Sequence, residues 1–136
     1  MKRSKKLIML VFTFLMLTFT TQAFAAGEVV TYNDYVGGYG SFTSEFQLNN
    51  GVARVDYSVS PVSTPTSNWD FYIGVYKVDN YGNAHYITGD TIAAGKSSAI
   101  SGTKLFSGLA PGKYKLKFET NNSLLRANVK VYDLGW

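Results

Sequence analysis

The sequence predicts an antiparallel β-sandwich. Three observations carry the prediction: apolar side chains recur with a period of two in several short runs, clusters of Gly, Asn, Asp and Pro separate those runs, and no stretch beyond the N-terminal region has a convincing helical period.

In chain order, residues 1–25 read as a secretory signal peptide. Lys2, Arg3, Lys5 and Lys6 form a positive start, Leu7 to Thr20 an apolar stretch, and Ala23-Phe24-Ala25 a cleavage site, so the chain is expected to be cut after Ala25 and secreted. No later segment reaches the roughly 18 continuous apolar residues of a membrane span, so no stable span is expected after processing. Residues 26–40 are rich in Gly and Tyr and read as an irregular arm. Residues 41–136 form the expected sandwich domain.

Its first strand is placed at Ser41–Leu48, where Phe42, Ser44, Phe46 and Leu48 alternate with Thr43, Glu45 and Gln47. Asn49-Asn50-Gly51 is a hairpin signal, because Asn and Gly tolerate the positive φ of tight turns. The returning strand carries Ala53, Val55, Tyr57 and Val59 on one face. Pro61 to Asn68 is a loop between sheets. Trp69 to Val78 is apolar on both faces, which predicts a central strand covered on both sides. Asp79 to Asn83 is a second turn, Ala84 to Thr88 a short strand, Gly89 to Ser98 a loop, and Ala99 to Ser107 a strand broken by Gly102. Lys113 to Glu119 alternates sharply, Asn121-Asn122-Ser123 turns the chain, and Val129 to Tyr132 gives a final strand.

Charge and composition exclude several functions. The whole chain has a formal net charge of +4, but loss of the leader leaves nine basic against nine acidic residues, which removes the electrostatic case for a nucleic-acid partner. With no cysteine, disulfides, thiol catalysis and thiolate metal sites are all ruled out. Such a domain holds together by packing, to which ten Tyr and two Trp bring large area per residue.

The segment Phe106-Ser107-Gly108-Leu109-Ala110-Pro111-Gly112-Lys113-Tyr114-Lys115-Leu116, following the Trp69-Asp70-Phe71 strand, resembles the jelly-roll modules of bacterial secreted proteins known as pre-peptidase C-terminal domains, over about Ser41 to Tyr132. Its Leu-x-Pro-Gly-x-Tyr cluster is also similar to the tyrosine corner of fibronectin-like sandwiches, so a jelly-roll or an immunoglobulin/fibronectin-like sandwich is expected. The resemblance implies assistance to secretion or binding of substrate and surface polymers, in some members with calcium. The chain is expected to depart from these modules in standing alone, with no catalytic domain before it.

Several residues stand as functional candidates. Tyr72, Tyr76, Tyr81 and Tyr86, with Trp69, cluster around the central strand and its turn, and exposed tyrosine offers rigid amphipathic contact area for sugar rings or peptide. Lys113, Lys115 and Lys117 form a basic stripe, read either as protection against sheet association or as a contact for an anionic cell-wall polymer. Asp79, Asn80 and Asn83, and separately Glu28, Asn33 and Asp34, carry oxygens suited to calcium; turn residues bonding their own backbone explain both groups without metal, and no cofactor is expected. His85 is the single histidine and lacks a nucleophile motif. The carboxylates Glu45, Asp56, Asp70, Asp79, Asp90 and Glu119 show no spacing that marks a glycosidase pair. The expected function is therefore a secreted, non-enzymatic binding module that contacts cell-wall or extracellular polysaccharide or protein through an aromatic face. Alternatives are a secreted antagonistic factor, such as a bacteriocin-like protein or inhibitor, and, third, a small hydrolase.

Overall fold

A computed structural model describes residues 27–134. The expected signal peptide and its cleavage site lie outside the described residues. Nine strands occur in chain order: β1 (Gly27–Gly37), β2 (Ser41–Phe42), β3 (Phe46–Leu48), β4 (Ala53–Pro61), β5 (Trp69–Val78), β6 (Ala84–Gly95), β7 (Ile100–Phe106), β8 (Gly112–Glu119) and β9 (Leu124–Asp133). One sheet has the order β1-β9-β4-β7; the other runs β2-β8-β5-β6, with β3 also pairing β8. All pairings are antiparallel. With β2 and β3 taken as one interrupted strand, this is a jelly-roll sandwich, the predicted class.

The core lies between the sheets. Val55, Val59, Leu125, Ala127, Val129 and Val131 face Phe71, Ile73, Val75, Leu116 and Phe118, all of them buried. At its centre Phe118 stacks on Phe71 at 5.4 Å between ring centroids, and Tyr32 of β1 meets Phe118 edge-on at 5.0 Å. Tyr57 of β4 reaches Phe71 from the opposing sheet at 6.0 Å. Aromatic area thus bridges the layers where no disulfide does.

The strand phases explain where the sequence reading holds and where it departs. The stretch expected as an irregular arm is the long edge strand β1, paired with β9 from Gly27↔Asp133 to Gly37↔Leu124. Val30, Tyr32 and Val36 alternate toward the core, but Asn33-Asp34 and the outward Tyr35 mask that period in sequence. The strand expected over Ser41–Leu48 is interrupted, because Thr43 turns inward: its backbone N–H donates to the Leu116 carbonyl at 2.9 Å and its Oγ1 accepts the Leu116 N–H at 3.1 Å. The phase slips there, so Phe42 points outward while Phe46 and Leu48 point inward. The expected hairpin at Asn49-Asn50-Gly51 joins different sheets; Gly51 supplies a φ of +83°. Pro61 to Asn68 crosses between sheets as predicted. The loop expected over Gly89–Ser98 is mostly the second half of β6, an exposed edge strand, and β7 continues through Gly102 beneath the Tyr57 ring.

Two polar clasps hold the crossings. The buried carboxylate of Asp133 accepts the N–H groups of Asn49 and Asn50 at 2.9 and 3.2 Å, tying the end of β9 to the β3–β4 crossing. Tyr114 Oη donates to the Ala110 carbonyl four residues upstream, the tyrosine-corner contact that the Leu-x-Pro-Gly-x-Tyr cluster predicts. Burial pushes the Tyr114 hydroxyl pKa up, which keeps it a donor.

On the side where β6 and β7 form the two sheet edges, Lys104 Nζ meets Asp90 Oδ2 at 2.6 Å. The ammonium holds the Asp90 carboxyl below the usual carboxylate range, and Asp90 raises the Lys104 pKa. The pair's contribution is therefore complete between the ordinary values of about 3.9 and 10.4. It is lost as pH falls through the depressed Asp90 value or rises through the elevated Lys104 value. Asp90→Asn is expected to lower the thermal midpoint at neutral pH, with the gap to wild type closing toward about pH 2. An equal gap at both pH values in scanning calorimetry would contradict this reading.

Candidate functional site

The outer face of the five-stranded sheet carries a continuous patch of rings, Phe42 and Tyr86 exposed and Tyr72 and Tyr76 half-buried. Register sets it out: Phe42 pairs with Lys117, Gly74 with Lys117 and Gly89, and Tyr76 with Lys115 and Tyr86. The outward residues of β5 are therefore Tyr72, Gly74 and Tyr76, flanked by Phe42 on one side and Tyr86 on the other. The strand expected to be covered on both faces is covered on one.

These rings contact one another in sequence across the sheet. Phe42 meets Tyr76 edge-to-face at 5.4 Å, and Tyr76 meets Tyr86 edge-to-face at 5.6 Å. Tyr72 Oη donates to Tyr86 Oη at 3.2 Å. Burial, then the Tyr86 hydrogen bond, pushes the Tyr72 pKa well up, so this hydroxyl stays protonated. Phe42 is 45% and Tyr86 56% exposed, values high enough to leave ring surface for a partner.

Two glycines make room for the Tyr72 and Tyr76 rings. A Cβ on Gly89 would stand 2.7 Å from Tyr72 Cζ and 2.8 Å from the Ile73 carbonyl oxygen, so the Tyr72 ring lies across a position that admits only hydrogen. A Cβ on Gly74 would stand 2.9 Å from Tyr76 Cε2 and 3.1 Å from Tyr72 Cε1. Aromatic rings covering cross-strand glycines brace a sheet that lacks side chains there.

The lysine stripe runs through this face. Lys115 and Lys117 place their ammonium groups 6.0 and 5.6 Å from the Phe42 centroid. Lys117 also pairs with Glu119 at 2.8 Å, and that hydrogen bond raises its pKa.

Of the candidates, then, Tyr72, Tyr76 and Tyr86 come together with the lysine stripe. Tyr81 stands at the tip of the β5–β6 hairpin, 91% exposed. Trp69 does not belong to the face: it is 2% exposed in the core, its indole N–H donating to the Ser97 carbonyl at 2.8 Å. It begins β5 in the inward phase, which the doubly apolar pattern of that strand concealed. Phe42 is the member that sequence reasoning missed. The signal lay in Thr43, a residue whose hydroxyl can replace a ladder contact and so shift the phase.

The outer face of the other sheet is built differently. Arg54 lies over the Tyr132 ring at 4.3 Å and Arg126 over Tyr35 at 5.5 Å. Its tyrosine faces are occupied by the protein's own cations.

Asp79, His85, Asp56, Asp70 and Asp90 are engaged by their neighbours. Asp79 Oδ1 accepts the N–H groups of Tyr81 and Asn83, both at 2.9 Å, and Oδ2 meets His85 Nε2 at 2.8 Å. The His85 bond is the main cause of the lowered Asp79 pKa. Among the described residues no hydroxyl is hydrogen-bonded to His85, and no group of three His, Cys, Asp or Glu side chains gathers. Asp56 pairs with Thr103, Asp70 with the Asn121 backbone and Asp90 with Lys104. A polar cleft of about 550 Å³ opens beside the hairpin, lined in part by Glu45, Lys77, Asp79 and Lys113.

No protein-family model matches the chain, and no curated protein matches its sequence. Solved structures do share its fold. The C-terminal family 22 carbohydrate binding module of Clostridium thermocellum Xyn10B is similar with a TM-score of 0.53 and 12% identity, over 82% of this chain and 97% of that one. A xylan-binding domain from CBM 22 gives a TM-score of 0.51 and 11% identity, over 79% and 96%. Part of tripeptidyl peptidase 2 gives 0.52 and 6% identity over 77% of this chain, which spans 10% of that peptidase. These likenesses establish a jelly-roll module.

Proposed function

We propose that the protein is a secreted, non-enzymatic binding module that takes a polysaccharide on the outer face of its five-stranded sheet. The observation that carries this reading is the contiguous row Phe42, Tyr76, Tyr86 and Tyr72, interlocked edge to face, with Tyr72 and Tyr76 packed over Gly74 and Gly89. A strip of braced rings presents wide, rigid, partly apolar area with hydroxyls at its border, which suits the alternating C–H faces and hydroxyl rims of sugar rings. Little side-chain freedom is lost when a ligand settles on it. Two of the structures that share its fold are carbohydrate-binding modules, one of them described as xylan-binding. The resemblance to pre-peptidase C-terminal domains supports the same role, binding of surface polymers.

Affinity electrophoresis and pull-down on a polysaccharide panel test the proposal. Tyr76→Ala and Tyr86→Ala are each expected to weaken binding about tenfold or more, as central aromatic anchors do, with little change in thermal midpoint for the exposed Tyr86. Undiminished retention of the double variant would sink it.

A further inference from the structure

We infer that the ligand of this face is a polysaccharide bearing a repeating carboxylate, a uronate polymer; the inference rests on the binding reading above. It comes from where the lysines stand. Lys113, Lys115 and Lys117 occupy alternate positions of β8, about 7 Å apart along the strand. That strand lies inside the sheet, with β2 and β3 on one side and β5 on the other. Lysines that guard a sheet against association belong on edge strands, and β8 has no free edge for them to guard.

Two of the cations also lie among the rings, while Lys113 stands opposite Gln47 and Val78 at the end of the row. Lys115 is opposite Tyr76 in the register, and Lys117 is opposite both Phe42 and Gly74. Lys117 is neutralised by Glu119, whereas Lys113 and Lys115 form no salt bridge among the described residues. A sugar stacked on Tyr76 therefore covers Lys115. Under a neutral sugar, that ammonium loses water without gaining a counter-charge, which is unfavourable. A uronate supplies the counter-charge from the same ring that stacks on the tyrosine, and successive uronates repeat it along the lysine row. The nine-to-nine balance of charge over residues 26–136 makes this local excess a property of the face and not of the whole chain.

Calorimetric titration with polygalacturonate, its fully methyl-esterified form and poly(glycerol phosphate) tests the inference. Wild type is expected to bind polygalacturonate roughly tenfold more tightly than the ester, with the advantage shrinking from about 50 to about 500 mM salt. Lys113→Gln/Lys115→Gln should abolish that difference while folding normally, and Tyr76→Ala should weaken both polymers. Equal binding of acid and ester would overturn the charge selection and leave the aromatic reading standing. Equal affinity for poly(glycerol phosphate), which has charge but no rings, would overturn it in favour of charge alone. Binding to a neutral polysaccharide but to none of these three would overturn the uronate inference alone, and binding to no polysaccharide at all would overturn the aromatic reading as well.

Discussion

Phe118→Ala is expected to cost about 3–5 kcal/mol of folding stability, the range for truncating a fully buried phenylalanine. Phe118 is wholly buried on the inner face of β8, stacked on Phe71 and met edge-on by Tyr32 from the opposing sheet. Truncation removes one ring from a cluster that spans both layers, and neither sheet can close the gap without breaking its own ladder. For a domain of this size the loss corresponds to a fall in thermal midpoint of roughly 15–30 °C. Small domains have only about 5–15 kcal/mol in total, and this one has no disulfide in reserve. Urea unfolding followed by tyrosine fluorescence measures the change directly. Tyr86→Ala, on the outer face, is the control and should stay within about 1 kcal/mol of wild type. A Phe118→Ala loss no larger than the control's would mean that the central stack contributes little.

Gly89→Ala should disable the proposed binding face without removing any aromatic ring. The added methyl meets Tyr72 Cζ at 2.7 Å and the Ile73 carbonyl oxygen at 2.8 Å, so the ring must swing off the sheet and the β5–β6 ladder must shift. The Tyr72–Tyr86 hydrogen bond is lost with it. Polysaccharide affinity is expected to fall about tenfold or more, and stability by about 1–3 kcal/mol, the range for overpacking. Gly38→Ala, where nothing lies within 4 Å of the added atom, should change neither. In the Tyr72→Ala/Gly89→Ala double variant the ring clash is gone and only the carbonyl contact persists, so the stability losses should add to less than their sum. A Gly89→Ala protein that binds like wild type would show that the seat of the Tyr72 ring over Gly89 is immaterial.

Strict alternation made β4 and β8 legible, because each has one face in the core and one in water. The tyrosine corner was legible from Leu109 to Tyr114, since proline, glycine and the corner tyrosine occupy fixed offsets. Edge strands were harder. Both β1 and the second half of β6 pair on one side only, so Asn33, Asp34, Asp90 and Thr91 are tolerated outside the hydrophobic pattern. Connections were misread for a different reason: Asn-Asn-Gly reports the backbone of a turn and not the sheet that receives the next strand. The aromatic face was half visible. Tyrosines too numerous for one core face pointed to Tyr72, Tyr76 and Tyr86, but Phe42 joined them through a phase slip at Thr43, and Trp69 left them because β5 is apolar in both phases.

The order β1-β9-β4-β7 has a kinetic consequence. The ninth strand in the chain lies between the first and the fourth, so that sheet has no continuous ladder until residues 124–133 have been made. Among the described residues only β5 and β6 are chain neighbours paired directly, and most pairings join segments far apart in sequence. Such topologies fold slowly, on the millisecond-to-second scale, because loop closure precedes its reward. A polypeptide that cannot finish a sheet before its final strand emerges stays threadable while it is being made. Because β9 completes the four-stranded sheet, the inner face of the five-stranded sheet gains its full cover only when residues 124–133 have been made.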